Sequence, residues 1–219
     1  MPVISDPARA AILSSVRSAL GRGEDGSVPP VPASVRMPDR IPGTVDAEIG
    51  LLCEEIGKLG GHARRLTVAD LGQVLDELIC DEAIKKVTLW QTAEIKALGL
   101  AELLSERGVE IVSPYAGKGA LAGCDLGVTG ADMALPETGT LLLRSSAKRP
   151  RSTSLLPRVH LALVMPSAMR ADLDEALAEA QDEGHFVLIT GPSRTADIEL
   201  TVTIGVHGPR ALYVWVLER

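Results

Sequence analysis

Glu137 stands in Pro136-Glu-Thr-Gly-Thr140, beside a long stretch of chain that carries only positive charge. From Thr138 to Ala171 there is no Asp or Glu, while Arg144, Lys148, Arg149, Arg151, Arg158 and Arg170 all fall within it. Arginines mixed with hydroxyl residues around Ser145–Ser154 suit a small anion, because a guanidinium grips a carboxylate or phosphate through two parallel hydrogen bonds. A solvated surface loop, or a face toward an acidic partner, would look the same at this level. Gly139 permits a sharp turn, Thr138 and Thr140 offer hydroxyls, and the amides of such a turn can receive an anion. An ionised Glu137 would serve as general base or as nucleophile toward an acyl group. Paired with a nearby arginine, it would only close a β-turn.

A second stretch, Thr190-Gly-Pro-Ser-Arg-Thr-Ala-Asp-Ile-Glu199, follows an apolar run read as a short buried strand, Phe186–Thr190. Ligands of open α/β sheets gather at the carboxyl ends of strands. Gly191, Ser193, Arg194 and Thr195 would there present amides, hydroxyls and a charge to a phosphate or carboxylate. The P-loop pattern GxxxxGK[ST] is absent, and Ser193 lacks the GxSxG elbow of a serine hydrolase. His207 lies in Gly205-Val-His-Gly-Pro209, a turn from which a side chain can reach out of a sheet. His160 falls in a very apolar run and reads as a hydrogen-bonded core histidine, whereas His62 and His185 read as surface residues. No HExxH spacing occurs and no GxGxxG follows a strand, so no metal site, dinucleotide site or other cofactor is expected. The expected site thus has Glu137 as its catalytic candidate, with Thr138, Gly139, Thr140, Arg151, Ser193, Arg194, Thr195 and His207 as binding residues.

The elements that must position these residues divide the chain at about residue 43. Asp6-Pro7 is a good helix start, and Ile12, Leu13, Val16 and Leu20 recur at helical spacing before Gly21. Gly23–Gly43 holds Pro29, Pro30, Pro32, Pro38 and Pro42 and reads as an extended linker. From Thr44 to the end, residues 44–219 form the main domain. Helices are expected at Val45–Leu59, from a capping box at Thr67–Asp70 through Ile79, at Thr92–Ser105 and at Ser167–Asp182. Strands are expected at Ala63–Val68, Val87–Trp90, Val109–Val112, Leu126–Thr129, Thr140–Leu143 and Val159–Met165. Glu199–Val206 and Ala211–Leu217 would form a hairpin across His207–Arg210. Early alternation of strand and helix indicates an α/β fold, a mostly parallel sheet flanked by helices with a smaller antiparallel section.

Composition narrows the partners. Aromatic residues make up 2% of the chain, two Trp, two Tyr and one Phe, so the core is packed with Leu, Val, Ile and Ala and there is no stacking platform for single-stranded nucleic acid. A net charge of −7 also disfavours a phosphodiester polymer. Cys53, Cys80 and Cys124 are scattered without a CxxC pair, which excludes zinc ribbons and ferredoxin-type clusters and reads as reduced, buried thiols. With no apolar signal region and no run near the roughly 20 residues of a membrane helix, a cytoplasmic protein without a membrane span is expected.

Taken in order, Gly130-Ala-Asp-Met-Ala-Leu-Pro-Glu-Thr-Gly-Thr140, Arg151-Ser-Thr-Ser-Leu-Leu-Pro-Arg-Val-His160, Thr190–Glu199 and Gly205–Pro209 resemble the lactate utilization protein C family, the stand-alone form of the LUD domain. The resemblance runs from roughly Thr44 to the C-terminus. It implies a Rossmann-like sheet similar to the sugar-phosphate isomerase and CoA-transferase fold. It also implies a role in oxidising L-lactate to pyruvate beside partner proteins that carry the iron–sulfur clusters. CoA transferases of that fold use a glutamate ahead of glycine as acyl acceptor, and Glu137-Thr-Gly139 has that form, although the rest of their motif is absent. Three functions follow as expectations: a non-redox component binding a small carboxylate or phosphorylated anion, a non-catalytic subunit docking the iron–sulfur proteins, or an isomerase- or acyl-transferase-like enzyme.

Overall fold

The computed structural model describes residues 7–21, 40–180, 185–196 and 202–218. Its residues fall into two compact units, Met1–Pro38 and Asp39–Arg219. In the first, helix α1 spans Pro7–Ala19 and leaves Ile12, Val16 and Leu20 exposed. Asp6 and most of the proline-rich linker lie outside the described residues.

The second unit is built on six parallel strands in the order β1-β11-β7-β4-β2-β3. These are β1 (His62–Thr67), β2 (Lys86–Leu89), β3 (Glu110–Val112), β4 (Leu126–Gly130), β7 (Val159–Val164) and β11 (Ala211–Glu218). Central β7 is buried along its whole length, as expected of a strand covered on both faces. Helices α2 (Val45–Lys58), α3 (Leu71–Asp81), α4 (Ala93–Ala97), α5 (Leu100–Glu106), α6 (Lys118–Ala122) and α7 (Ser152–Leu155) connect or cover these strands. Ile49, Leu52 and Ile56 give α2 its buried stripe, each contributing roughly 1.5–3 kcal/mol of apolar burial. Ahead of α3 the Asp70 carboxylate accepts from both the Thr67 amide and hydroxyl, at 2.8 and 2.7 Å.

A smaller antiparallel sheet, in the order β5-β6-β8, comprises β5 (Met133–Leu135), β6 (Thr140–Arg144) and β8 (Phe186–Ile189). Side-chain alternation sends Ala134, Leu141 and Leu143 into the main core. Met133, Leu135 and Leu142 face the other way, onto Ala176 and Ala180 of α8 (Leu173–Ala180). A two-stranded ribbon pairs β9 (Arg194–Ala196) with β10 (Val202–Ile204).

Several expectations are corrected. The anticipated hairpin does not form: β11 runs parallel between β1 and β7, and β10 pairs with β9 instead. Strand β8 is only half-buried and belongs to the antiparallel sheet, so Thr190–Thr195 does not follow a strand of the parallel sheet. The Thr92–Ser105 helix breaks into α4 and α5 at Gly99, whose φ is 64°. The helix expected from Ser167 begins only at Leu173, after a 3-10 turn at Pro166–Ala168. Cys124 is buried as expected, but Cys80 is exposed. Among the described residues no helix is long and apolar enough to cross a membrane.

Candidate functional site

The pairing of β6 with β8 puts Leu141 opposite Ile189, and this register carries Thr140 to Thr190. Their hydroxyl oxygens lie 2.8 Å apart, and the Thr138 hydroxyl donates to that of Thr140 at 2.8 Å. Two threonines of one turn and a third fifty residues on thus form one continuous hydroxyl chain. The turn below them depends on Gly139. Its φ is 62°, and a side chain there would meet the backbone nitrogen of Ile56 at 2.9 Å, so glycine lets the 3-10 turn Pro136–Thr138 seat on α2.

Beyond Thr190 the chain lines a cavity of about 290 Å³ with Ser193 and Arg194. The turn after β10 supplies His207 and Gly208, α7 supplies Ser154 and Leu155, and the sheet supplies His160 and Leu212. Two backbone bonds hold the turns together: the Ser193 amide donates to the Pro209 carbonyl, and the Gly205 amide donates to the Ser193 carbonyl, both at 2.9 Å. The Arg194 guanidinium donates to the Leu59 carbonyl at the end of α2. His160 is 1% exposed. Its Nε2 lies 2.8 Å from the Thr129 hydroxyl, and burial pushes its pKa down to about 3, so the ring is neutral.

A larger cavity, about 750 Å³, opens at the carboxyl ends of the parallel strands. Strand β2 is followed by β3 on one side, and the chain then returns to β4 on the other; such a reversal of strand order is where open α/β sheets form a crevice. Trp90, Ile95, Leu163 and Met165 give it apolar walls, and Asp132, Lys148 and Arg149 stand among its polar residues. The Trp90 indole donates to the Pro150 carbonyl at 3.0 Å. Arg149 is bound to Asp132 at 2.5 Å. Glu94 is held below the ordinary carboxylate range by its own amide, the Thr92 hydroxyl and the charge of Arg149. Leu163 and His160 are three residues apart on β7, so they point to opposite faces, and the two cavities lie against different faces of the sheet.

The site residues read from the sequence therefore separate. Thr138 and Thr140 join Ser193, Arg194 and His207 through Thr190. Glu137 is 59% exposed in its side chain and stands 3.8 Å from Arg40; it lines neither cavity. Arg151 is exposed at the start of α7 and also lines neither. Thr195 sits on β9 opposite Thr203, one residue beyond the smaller cavity's wall. Most of the cationic stretch is committed to ion pairs: Arg144 and Arg170 with Glu179, Arg149 with Asp132, and Arg158 with Glu82 and Asp125. Among the described residues, no group of three or more His, Cys, Asp or Glu side chains is arranged to hold a metal ion. Sequence reasoning gave the Trp90–Ile95 segment and Asp132 no place at a site, whereas its reading of His160 as a hydrogen-bonded core histidine agrees with the buried ring bonded to Thr129.

Residues 51–217 match the LUD domain. The chain belongs to the LUD domain family. It is 28% identical over 232 residues to the lactate utilization protein C of Halalkalibacterium halodurans, covering 96% of this chain and 98% of that protein. It is 31% identical over 185 residues to the protein of the same name from Shouchella clausii, covering 80% and 81%. Among solved structures, a DUF162 family protein of Deinococcus radiodurans superposes with a TM-score of 0.60 at 23% identity, over 81% of this chain and 100% of that one, which speaks to the shared fold alone. All four segments that carried the resemblance fall within residues 51–217: the first at the β4–β6 region, the second at α7 and β7, while Thr190–Arg194 of the third and His207–Pro209 of the fourth line the smaller cavity.

Proposed function

We propose that this LUD domain protein is a non-redox component of an L-lactate utilization system, and that it binds a small carboxylate or phosphorylated anion in the smaller cavity. Involvement in lactate utilization is supported by relatives named lactate utilization protein C that align over nearly the whole chain. The binding reading is carried by one observation: Ser193, Arg194 and His207, drawn from two separate turns, line one cavity. At about 290 Å³ it lies near the roughly 300 Å³ lower end of small-molecule sites, a size for a few-carbon acid. Arg194 supplies a charge, and Ser193 and Thr190 supply hydroxyls. Electron transfer belongs, in this reading, to iron–sulfur partner proteins, since Cys53, Cys80 and Cys124 are scattered singly along the chain.

The test is calorimetric titration of the full chain with L-lactate, pyruvate, inorganic phosphate, a sugar phosphate and a CoA ester. At least one anion binds, Arg194→Ala weakens it about tenfold or more, and Lys148→Ala at the larger cavity leaves it unchanged. Silence from every anion with a folded protein overturns the reading. Turnover of a CoA ester or sugar phosphate by the isolated chain, lost in Glu137→Gln, would replace it with the transferase or isomerase alternative.

The docking alternative is favoured by α1, where Ile12, Val16 and Leu20 are exposed at the four-residue spacing of one helix face. Under that reading Val16→Asp abolishes co-purification with the iron–sulfur proteins, while Glu137→Gln and Arg194→Ala leave growth on lactate intact.

A further inference from the structure

The larger crevice takes no part in the proposed anion site, and its floor is the carboxyl edge of the parallel sheet. Gly130 ends β4, Leu163 and Met165 stand at the end of β7, Leu217 lies near the end of β11, and Val68 follows β1. These four strands are consecutive neighbours in the sheet, so the path from Gly130 to Val68 crosses three strand spacings, about 14 Å. Beyond Gly130 the wall is apolar, and Glu218 at the far end is paired with Arg65 at 2.6 Å.

At the β4 end two donors stand open. The Trp90 amide donates to the Val128 carbonyl at 3.0 Å, which is where β2 leaves β4. Alternate residues of a parallel strand bond to the same neighbour, so the Gly130 amide faces the side that β2 has vacated. It has no acceptor among the described residues. A Cβ at Gly130 would meet nothing within 4 Å, so the space beside this amide is open. The other donor is the ammonium of Lys148. It sits on a tight turn in which the Ser146 and Arg149 amides donate to each other's carbonyls at 3.1 and 3.0 Å. The Arg149–Asp132 ion pair, at 2.5 Å, ties this turn to the chain two residues past Gly130. Among the described residues no carboxylate pairs with Lys148. The two carboxylates nearby are already engaged: Asp132 by Arg149, and Glu94 by its own amide and the Thr92 hydroxyl.

We infer that this crevice binds an elongated amphipathic carboxylic acid, its carboxylate held by the Gly130 amide and Lys148 and its apolar body laid across the ends of β7 and β11 toward Val68. Both open groups at the polar end are donors, which selects an anion over a cation. At about 750 Å³ the crevice lies high in the roughly 300–1,000 Å³ range of ligand sites, too large for a few-carbon acid to fill. The path of about 14 Å suits an extended chain of about ten carbons.

The test is calorimetric titration of the full chain with decanoate below its micellar concentration, compared with butyrate, 1-decanol and decyltrimethylammonium. Decanoate binds about tenfold or more tightly than each of the three, because only it supplies both the charge and the buried methylenes. Lys148→Ala weakens decanoate about tenfold. Gly130→Ala weakens it about fivefold or more with an unchanged melting temperature, since its added methyl enters open space beside the amide. Arg194→Ala leaves decanoate affinity as it was, so this site and the smaller cavity are scored separately. In protein labelled with 5-fluorotryptophan, decanoate shifts the 19F resonance of Trp90. No binding of decanoate to the folded chain overturns the inference. So does equal affinity for butyrate, the alcohol or the cation, or a decanoate affinity that neither crevice variant changes.

Discussion

The Nε2 of His160 and the hydroxyl of Thr129 meet at 2.8 Å inside the central sheet, on neighbouring strands β7 and β4. This bond fixes the ring in a buried setting that admits no charge. Burial lowers the histidine's pKa from an ordinary 6.5 to about 3, so on acidification the unfolded chain takes up a proton that the folded ring refuses. Stability from this group is therefore level above pH 6.5 and falls below it, down to about pH 3. Between about pH 7.5 and about pH 5 the loss amounts to roughly 2 kcal/mol. Urea unfolding at the two pH values measures it, and in His160→Leu this part of the acid dependence is absent.

Gly127→Ala probes how α7 is seated. The added carbon would lie 1.9 Å from the Thr153 carbonyl oxygen, and backbone cannot yield as a flexible side chain would. The expected loss is at least about 3 kcal/mol, or roughly 6–12 °C in melting temperature for a domain of this size. An unchanged melt would show that α7 shifts freely over the sheet.

Arg158 and Arg151 are neighbours in the cationic stretch with different fates. Arg158 bridges Glu82 and Asp125, each at 3.1 Å, and all three are partly buried. Arg158→Met takes one cation from two carboxylates that keep other partners, Arg210 and Tyr213 at Glu82 and the Lys85 and Lys86 amides at Asp125, and should cost about 1–2 kcal/mol, less than a fully buried pair because solvent still screens it. Arg151→Ala, at an exposed position, should stay within about 0.5 kcal/mol of wild type. Denaturant midpoints of the two variants decide whether the basic segment is structural at residue 158 and spare at residue 151.

Trp90 lines the larger cavity and Trp215 lines neither. With both tryptophans replaced by 5-fluorotryptophan, saturating lactate or pyruvate should leave the 19F resonance of Trp90 in place, because the smaller cavity lies against the opposite face of the sheet. A shift confined to Trp90 would transfer the acid site to the crevice at the carboxyl ends of β2 and β4.

Much of the architecture is local in origin. Period and capping placed α2, α3 and all six parallel strands to within a residue or two, because a helix stripe or a buried strand is written in consecutive side chains. The Thr67–Asp70 box was visible for the same reason, since both partners lie within one turn. The C-terminal pairing was not visible: Ala211–Leu217 is apolar enough for a central strand, but which strands it joins depends on residues over a hundred positions away. The cationic stretch misled in the same way. Its arginines look unopposed along the chain, yet Glu82, Asp125, Asp132 and Glu179 reach most of them in space.

The order of residues alone established the α/β class, the threonine- and glycine-bearing segments and the likeness to the LUD family, since each is a property of short, contiguous runs. Only the tertiary structure decided which of those segments meet. It brought Thr138 and Thr140 to Thr190, set Ser193 and Arg194 beside His207, left Glu137 with Arg40, and turned His160 inward with one nitrogen unpaired. Hydrogen bonds and ion pairs act over a few ångströms, whereas the partners here are separated by up to about a hundred residues, as Arg40 and Glu137 are, so strand order and register had to be known before a site could be drawn.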